Sequence, residues 1–396
     1  EFPGGFYVQA AYVGRLSRRS LVQSDIATPT NLTDPKSGMS YFEAAGQLAR
    51  MSRRRTPVEQ VRAIPFWENL WPGAAGAGLT ATQRVYERFL AAEPDYTTAI
   101  QNLDIRCRPA CSIYGPYAMF NRQFSSMTAW RSIASGSYHA MQWTLRKRLS
   151  RGVQFDVNYT WSKSIDLASR AERDTVNNLG IISNPWDPGL RRAVSDYDMT
   201  HQFNANWIIE LPLGRGRKWL HRNNRILNAV AGGWQWSGIW RQTSGLPISV
   251  SNGRIWPTNW QWQANATQVG PVPAQQTTKN APAPVPGGFA GPNVFADPAA
   301  ALAAYDFTYP GGVGQRNGIR GDGYFTIDMG LAKRFYMPYS EKHSLQFRWE
   351  IFNVTNSVRF DVRNLSLSLG DQATFGRYFG ALTSPRVMQF GLRYEF

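Results

Sequence analysis

The last eleven residues, R-V-M-Q-F-G-L-R-Y-E-F from Arg386 to Phe396, constrain this chain more than any other stretch. Met388, Phe390, Leu392, Tyr394 and Phe396 fall on one face of an extended strand, and Gln389, Gly391, Arg393 and Glu395 fall on the other. Unbroken period two reads as a strand, and about 9–11 residues cross a bilayer when tilted. Soluble sheets blunt their edge strands with charge or Pro, whereas this one keeps large apolar groups on one side throughout. An apolar outer face over a polar inner face is what a transmembrane β-barrel strand requires. The alternative is the last strand of a soluble sandwich.

Composition bears on that choice. The chain has 396 residues, 13% aromatic and 18% charged, with 15 Trp and 17 Tyr. It exceeds a typical single domain, yet no linker divides it. The sequence has no apolar run of about eighteen residues, which excludes a helical membrane protein; barrel strands escape that test because every second residue is polar. Trp and Tyr suit interfacial girdles. The formal charge of +16 invites a nucleic-acid reading. The cations, however, sit at strand ends and turns (Arg15, Arg18, Arg19; Arg146, Lys147, Arg148, Arg151; Arg215, Arg217, Lys218), where they can meet lipid phosphates. No nucleic-acid partner is expected. The chain opens on Glu1-Phe2-Pro3 without a leader, so the expectation is a C-terminal portion of a longer barrel.

Period-two segments place eight strands. They run from Phe6 to Arg15, Tyr138 to Lys147, Val153 to Lys163, His201 to Leu211, Gly233 to Thr243, Tyr324 to Phe335, Ser344 to Val354, and Arg386 to Phe396. Between the first two lies a long insertion, residues 16–136, carrying helix signals: Ser40 with Glu43, Thr56-Pro57-Val58-Glu59, and Thr80 with Gln83. Phe66, Trp67, Leu70 and Trp71 offer it a small core. A second long loop, residues 244–322, is Pro/Gly/Ala-rich, and its centre, Pro271 to Gly291, reads as unable to build a core of its own. The connections after the strands run long, short, long, medium, long, short, long. With both termini periplasmic, every long one lands outside the cell.

Chemistry is scarce. Cys107 and Cys111 in C-R-P-A-C read as a disulfide rather than a zinc site, because the four His are scattered. Such a disulfide would fix a turn presenting Arg106, Arg108 and Tyr114 to ligand. Asp196, Asp198 and His201 could make a small metal site, or merely a solvated turn. Arg348 and Glu350 on the polar face could touch cargo, or form an ion-pair ladder. No phosphate loop and no Ser/His/Asp set stands out, so neither an enzyme nor a cofactor is expected.

Several stretches together carry a resemblance. These are Tyr7–Gly14, Tyr138–Asp166 (with K-R-L-S-R-G and N-Y-T-W-S-K-S-I-D), Ser195–Leu213, Gly314–Phe335 (opening G-Q-R-N-G-I-R-G-D-G-Y-F) and Phe347–Asn356. In that order they resemble the C-terminal barrel of TonB-dependent outer-membrane receptors, of the acidobacterial type with a carboxypeptidase-regulatory-like N-terminal domain. The resemblance implies an all-β transmembrane antiparallel barrel in the outer membrane of a Gram-negative bacterium. It also implies a wall of about twenty-two strands, of which eight are here, ending on the barrel signature Tyr394 and Phe396. Implied partners are outer-membrane lipid, a plug domain and the TonB system. The implied activity is energised uptake of a bulky ligand, with a carbohydrate, a metal chelate or a peptide as candidate classes. A passive porin or adhesin-like barrel is the alternative, and a soluble carbohydrate-binding protein a third.

Overall fold

The computed structural model describes residues 3–26, 29–124, 127–169, 181–214, 217–220, 225–259, 264–337 and 340–396. Eight long strands dominate: β1 (Phe6–Asp25), β2 (Thr128–Ser150), β3 (Val153–Asp166), β4 (His201–Glu210), β5 (Trp234–Thr243), β6 (Phe325–Met337), β7 (Ser340–Phe352) and β8 (Val387–Glu395). Each is antiparallel to its neighbours in sequence, so the sheet runs β8 to β1 without a crossover. Two-residue strands add to it at Ile181–Ile182, parallel to β1, and at Ala193–Val194, against β3. The long strands β1 and β8 end the row without pairing each other: the sheet is open, not a closed barrel.

Register turns the alternation into two surfaces. Met388, Ile351, Met329, Gly238, Trp207 and Phe155 stand in one continuous row across six strands. The next residues along give Gln389, Glu350, Gly330, Ser237, Ile208 and Gln154, polar apart from Gly330 and Ile208. On the apolar face a Cβ at position 238 would stand 2.2 Å from the Trp207 indole, so Gly238 is the gap into which that ring lies. His residues close this face at its edges. His139, His201 and His343 each bring Nδ1 within 2.6–2.7 Å of a tyrosine hydroxyl (Tyr12, Tyr159 and Tyr394) and stack on that ring. His221 and the turn residues Arg215, Gly216 and Pro338 lie outside the described residues.

Two strand limits differ from the sequence reading. The first strand continues past Arg15 to Asp25, and the second begins at Thr128 rather than Tyr138, so the insertion spans 26–127, not 16–136. The alternation was lost because the register slips twice around Ser20, where Arg19 takes φ 56°. Such a bulge moves side chains between faces. At ~3.3 Å per residue, the 23-residue β2 is also about twice the 9–11 residues that cross a bilayer, so its far part lies beyond any stretch that lipid would hold to an apolar face. Val22, Ala134, Leu167 and Ile182 cover part of this projecting ribbon.

The insertion is helical: α1 (Tyr41–Arg53), α2 (Pro65–Leu70), α3 (Ala81–Ala92) and α4 (Tyr96–Asp104). Capping boxes start α1 at Ser40/Glu43 and α3 at Thr80/Gln83. The Thr56-Pro57 signal opens only a 3-10 turn, Val58–Gln60, with no side-chain cap; the backbone before Pro65 is extended at Ile64, as Pro demands of its predecessor. Trp67, Trp71, Phe66, Phe89, Tyr41 and Tyr96 are fully buried together. The second loop also packs, though not by itself. Val250, Phe295 and Ile319 join Phe360, Phe375 and Tyr378 of the β7–β8 connection in one core, with Phe295 and Phe375 nearly parallel at 6.2 Å. Within the stretch read as coreless, Gln275–Ala281 pairs with Gly291–Phe295, and Val272 packs on that shared core. Two short helices, α5 (Arg225–Ala231) and α6 (Pro298–Ala303), complete the α-helices among the described residues.

Candidate functional site

The long connections converge beyond one rim of the sheet, and two arginines of Gly314–Asp322 rivet them there. Arg316, 3% exposed at its side chain, bridges Asp166 at the end of β3 (2.7 Å) and Asp196 (2.8 Å). Asn317 Nδ2 donates to Asp196 at 2.6 Å and to the Val194 carbonyl at 2.7 Å. Arg320 pairs with Asp198 at 2.5 Å and donates to the Gly245 carbonyl. Asp322 takes Arg359 and the Phe360 N–H. The backbones meet closely here: a Cβ on Gly245 would lie 1.8 Å from the Gly321 carbonyl oxygen, which only glycine permits. Asp196 and Asp198 are therefore arginine acceptors, and His201 stacks on Tyr159. The three do not form a metal cluster; no such group of ligands occurs among the described residues.

The helical insertion docks on this assembly through Arg53. Its guanidinium lies 3.9 Å from the Tyr309 ring centroid and 5.9 Å from that of Tyr96, and it bonds Asp306 at 3.0 Å. Thr97 hydroxyl donates to the Trp256 carbonyl, and Asn184 to that of Gly311. Between the three segments opens a hollow of about 450 Å³ lined by Phe42, Glu43, Arg50, Trp186, Asp187 and Leu190, among others. A second hollow of about 420 Å³, around Ser37, Met39 and Gln47, shares Glu43 and Arg50 with it. The first, with Trp186 in its wall, is the candidate groove. Trp186 is 55% exposed there. Glu43 is held below the usual carboxylate range by the Ser40 N–H and hydroxyl, so it stays an anion. Asp34, bonded to Ser37 of the second hollow, is pushed up by burial, but bonds from Ser37, Asn69 and the Lys36 and Ser37 N–H groups outweigh it and hold it at about 2. An exposed indole in a hollow also lined by Glu43, Asp187 and Arg50 offers a stacking surface together with planar hydrogen-bonding groups.

The residues expected from sequence do not gather at this groove. Cys107 and Cys111 form the disulfide, with Cα atoms 4.2 Å apart. Arg106, Arg108 and Tyr114 are exposed on its turn, which is tied to α2 by the Ile113 N–H and the Leu70 carbonyl. Arg348 and Glu350 are on the polar face of β7, paired with each other, and Gln389 donates to Glu350, which is the ladder reading. Tyr394 carries His343, and Phe396 stacks on Tyr394 at 6.1 Å. The groove residues Arg50, Trp186 and Asp187 went unread, because nothing local marks a site assembled from separate loops.

The outer membrane beta barrel domain profile matches residues 1–389, nearly the whole chain. The chain belongs to the outer membrane β-barrel family. The barrel-family assignment makes it an integral outer-membrane protein and the apolar rows its lipid-facing surface. Among solved structures this barrel chain is similar to the outer membrane transporter YddB from Escherichia coli, at 9% identity and a TM-score of 0.30. The overlap covers 67% of this chain and 26% of that one, so the chain spans about a quarter of that protein's length. No curated protein matches the sequence.

Proposed function

We propose that this barrel is the wall and external cap of a TonB-dependent receptor, taking up a bulky ligand that first binds the Trp186–Arg50 groove. The observation that carries the reading is the cap itself. An aromatic-cored insertion, riveted to two further loops, stands over one rim, whereas the connection at the other rim between β2 and β3 is only Arg151-Gly152. Long outer loops and short inner turns are the barrel norm, so the cap faces the exterior and the groove meets ligand first. An open sheet of eight strands leaves β8 and all but the far end of β1 unpaired along one edge, which hydrocarbon does not tolerate; a wider wall of about twenty-two strands, the plugged-transporter size, resolves that. The groove's indole and planar polar groups favour an oligosaccharide over a metal chelate.

Influx of a fluorescent oligosaccharide, and of a fluorescent peptide of similar mass, into cells producing the whole protein tests the proposal. Oligosaccharide entry should be abolished by a protonophore and by Trp186→Ala, with surface expression unchanged. Protonophore-indifferent entry would favour a passive porin instead. A cysteine at exposed Gly76 should react with an impermeant reagent added to intact cells; reaction only from the periplasmic side would invert the orientation.

A further inference from the structure

The connection from β4 to β5 is held against the lipid-facing side of the sheet. Trp234 and Lys333 stand in register on that face, and both grip the end of α5. Trp234 Nε1 donates to the Val230 carbonyl at 2.9 Å; Lys333 Nζ donates to the same oxygen at 3.0 Å and to that of Gly232. Lys333 is almost wholly buried, its ammonium 5.3 Å from the Trp234 ring centroid and 4.9 Å from that of Phe335. A cation at the final carbonyls of a helix is favourable, and here it fixes the helix to the wall. The segment leading into α5 comes close as well: a Cβ on Gly214, at φ 110°, would lie 2.8 Å from Gly232 Cα.

What this arrangement leaves outward is apolar. Leu227 is 53% exposed and Val230 66%, beside half-exposed Trp219 and Leu220. Lys218 holds its ammonium 5.5 Å from the Trp219 ring centroid. We propose that α5, with Lys218 and Trp219 ahead of it, is an interfacial lipid-binding element, with Leu227, Val230 and Trp219 in the acyl boundary of the outer membrane and Lys218 on phospholipid phosphates. The occupant follows from continuity: Lys333 and Trp234 belong to the rows that meet hydrocarbon, so a helix fastened to them borders the same lipid. A short amphipathic segment with exposed Leu, Val and Trp beside basic residues has the make-up of an element that lies in the headgroup plane. The inference needs the membrane location but not the transport reading, and its test does not involve transport.

The experiment is lipid quenching. Leu227→Cys in the whole protein, disulfide intact, is labelled with an environment-sensitive dye. The protein is reconstituted in phosphatidylethanolamine–phosphatidylglycerol vesicles whose acyl chains are brominated near the headgroup. Emission should be blue-shifted and quenched, as for a probe at acyl-boundary depth, while a label at Gln346→Cys on the polar face is spared. Lys333→Met keeps the apolar stem but cannot bind the carbonyls, and should abolish most of the quenching with heat-modifiable gel mobility unchanged. Trp234→Phe loosens the same grip and serves where Lys333→Met does not assemble. A label that is blue-shifted yet unquenched means a protein covers α5, and a water-like emission means nothing does; either overturns the proposal.

Discussion

Arg316 and Arg363 make similar-looking ion pairs with opposite expected weight. Arg316 is buried with both Asp166 and Asp196, whereas Arg363 is 74% exposed beside Asp361. Removing one partner of a buried pair strands the other's charge, at about 3–5 kcal/mol; in the Arg363–Asp361 pair only the carboxylate is buried, at 8% exposed, and the cation stands in solvent that screens it, so its loss costs less. Arg316→Met should therefore raise hydrogen exchange across residues 244–322, and Arg363→Ala should not. Asp34 yields a second test. Its folded-state pKa of about 2 is below the ordinary value of 3.8, so its stabilising bonds are fully present above pH 4 and fade as pH falls towards 2. Asp95 and Asp104 are pushed the other way, first by burial, so overall acid unfolding mixes opposite signs. A carboxyl-resolved NMR titration separates them: Asn69→Ala should raise the Asp34 midpoint. At this scale sequence showed little, since Asp196 and Arg316 are far apart in the chain and neither marks the other.

Strands were far more legible, because hydrocarbon acts on each residue locally. Trp207, Phe347 and Met329 had to alternate with polar neighbours for the chain to enter a bilayer, and the alternation survives in register. It became unreadable where that pressure ends, at Arg19 and beyond. Loop helices were legible where a capping box announced them, at Ser40 and Thr80. They were missed at α2 and α4, whose start signals, Pro65 and Asp95, lack the paired Glu or Gln. The strand faces predict an asymmetry. Trp207→Arg or Phe347→Arg should impair insertion by about 2–4 kcal/mol near the midplane, and Gln346→Arg should be milder. Outer-membrane yield and heat-modifiable mobility measure both, and equal tolerance would contradict the faces.

For the molecule as a whole, the cap core has a consequence in time rather than in binding. The β2–β3 hairpin closes across two residues, 151–152, while β1 and β2 meet only across 26–127. That fifty-fold difference in loop length adds roughly 3–4 kcal/mol of closure entropy to the β1–β2 encounter. A folded insertion removes most of that penalty in advance, because its two ends emerge side by side: Ile26 N–H donates to the Met127 carbonyl, and Thr30 N–H to that of Met119. A cap that folds first would thus be a clasp bringing distant strands within reach before they zip. Trp67→Ala, which hollows the core but keeps the chain long, should slow β1–β2 pairing more than replacing residues 29–124 with a short Gly/Ser turn. Stopped-flow fluorescence during refolding into detergent ranks the two variants, and a faster Trp67→Ala would deny the insertion any part in the order of assembly.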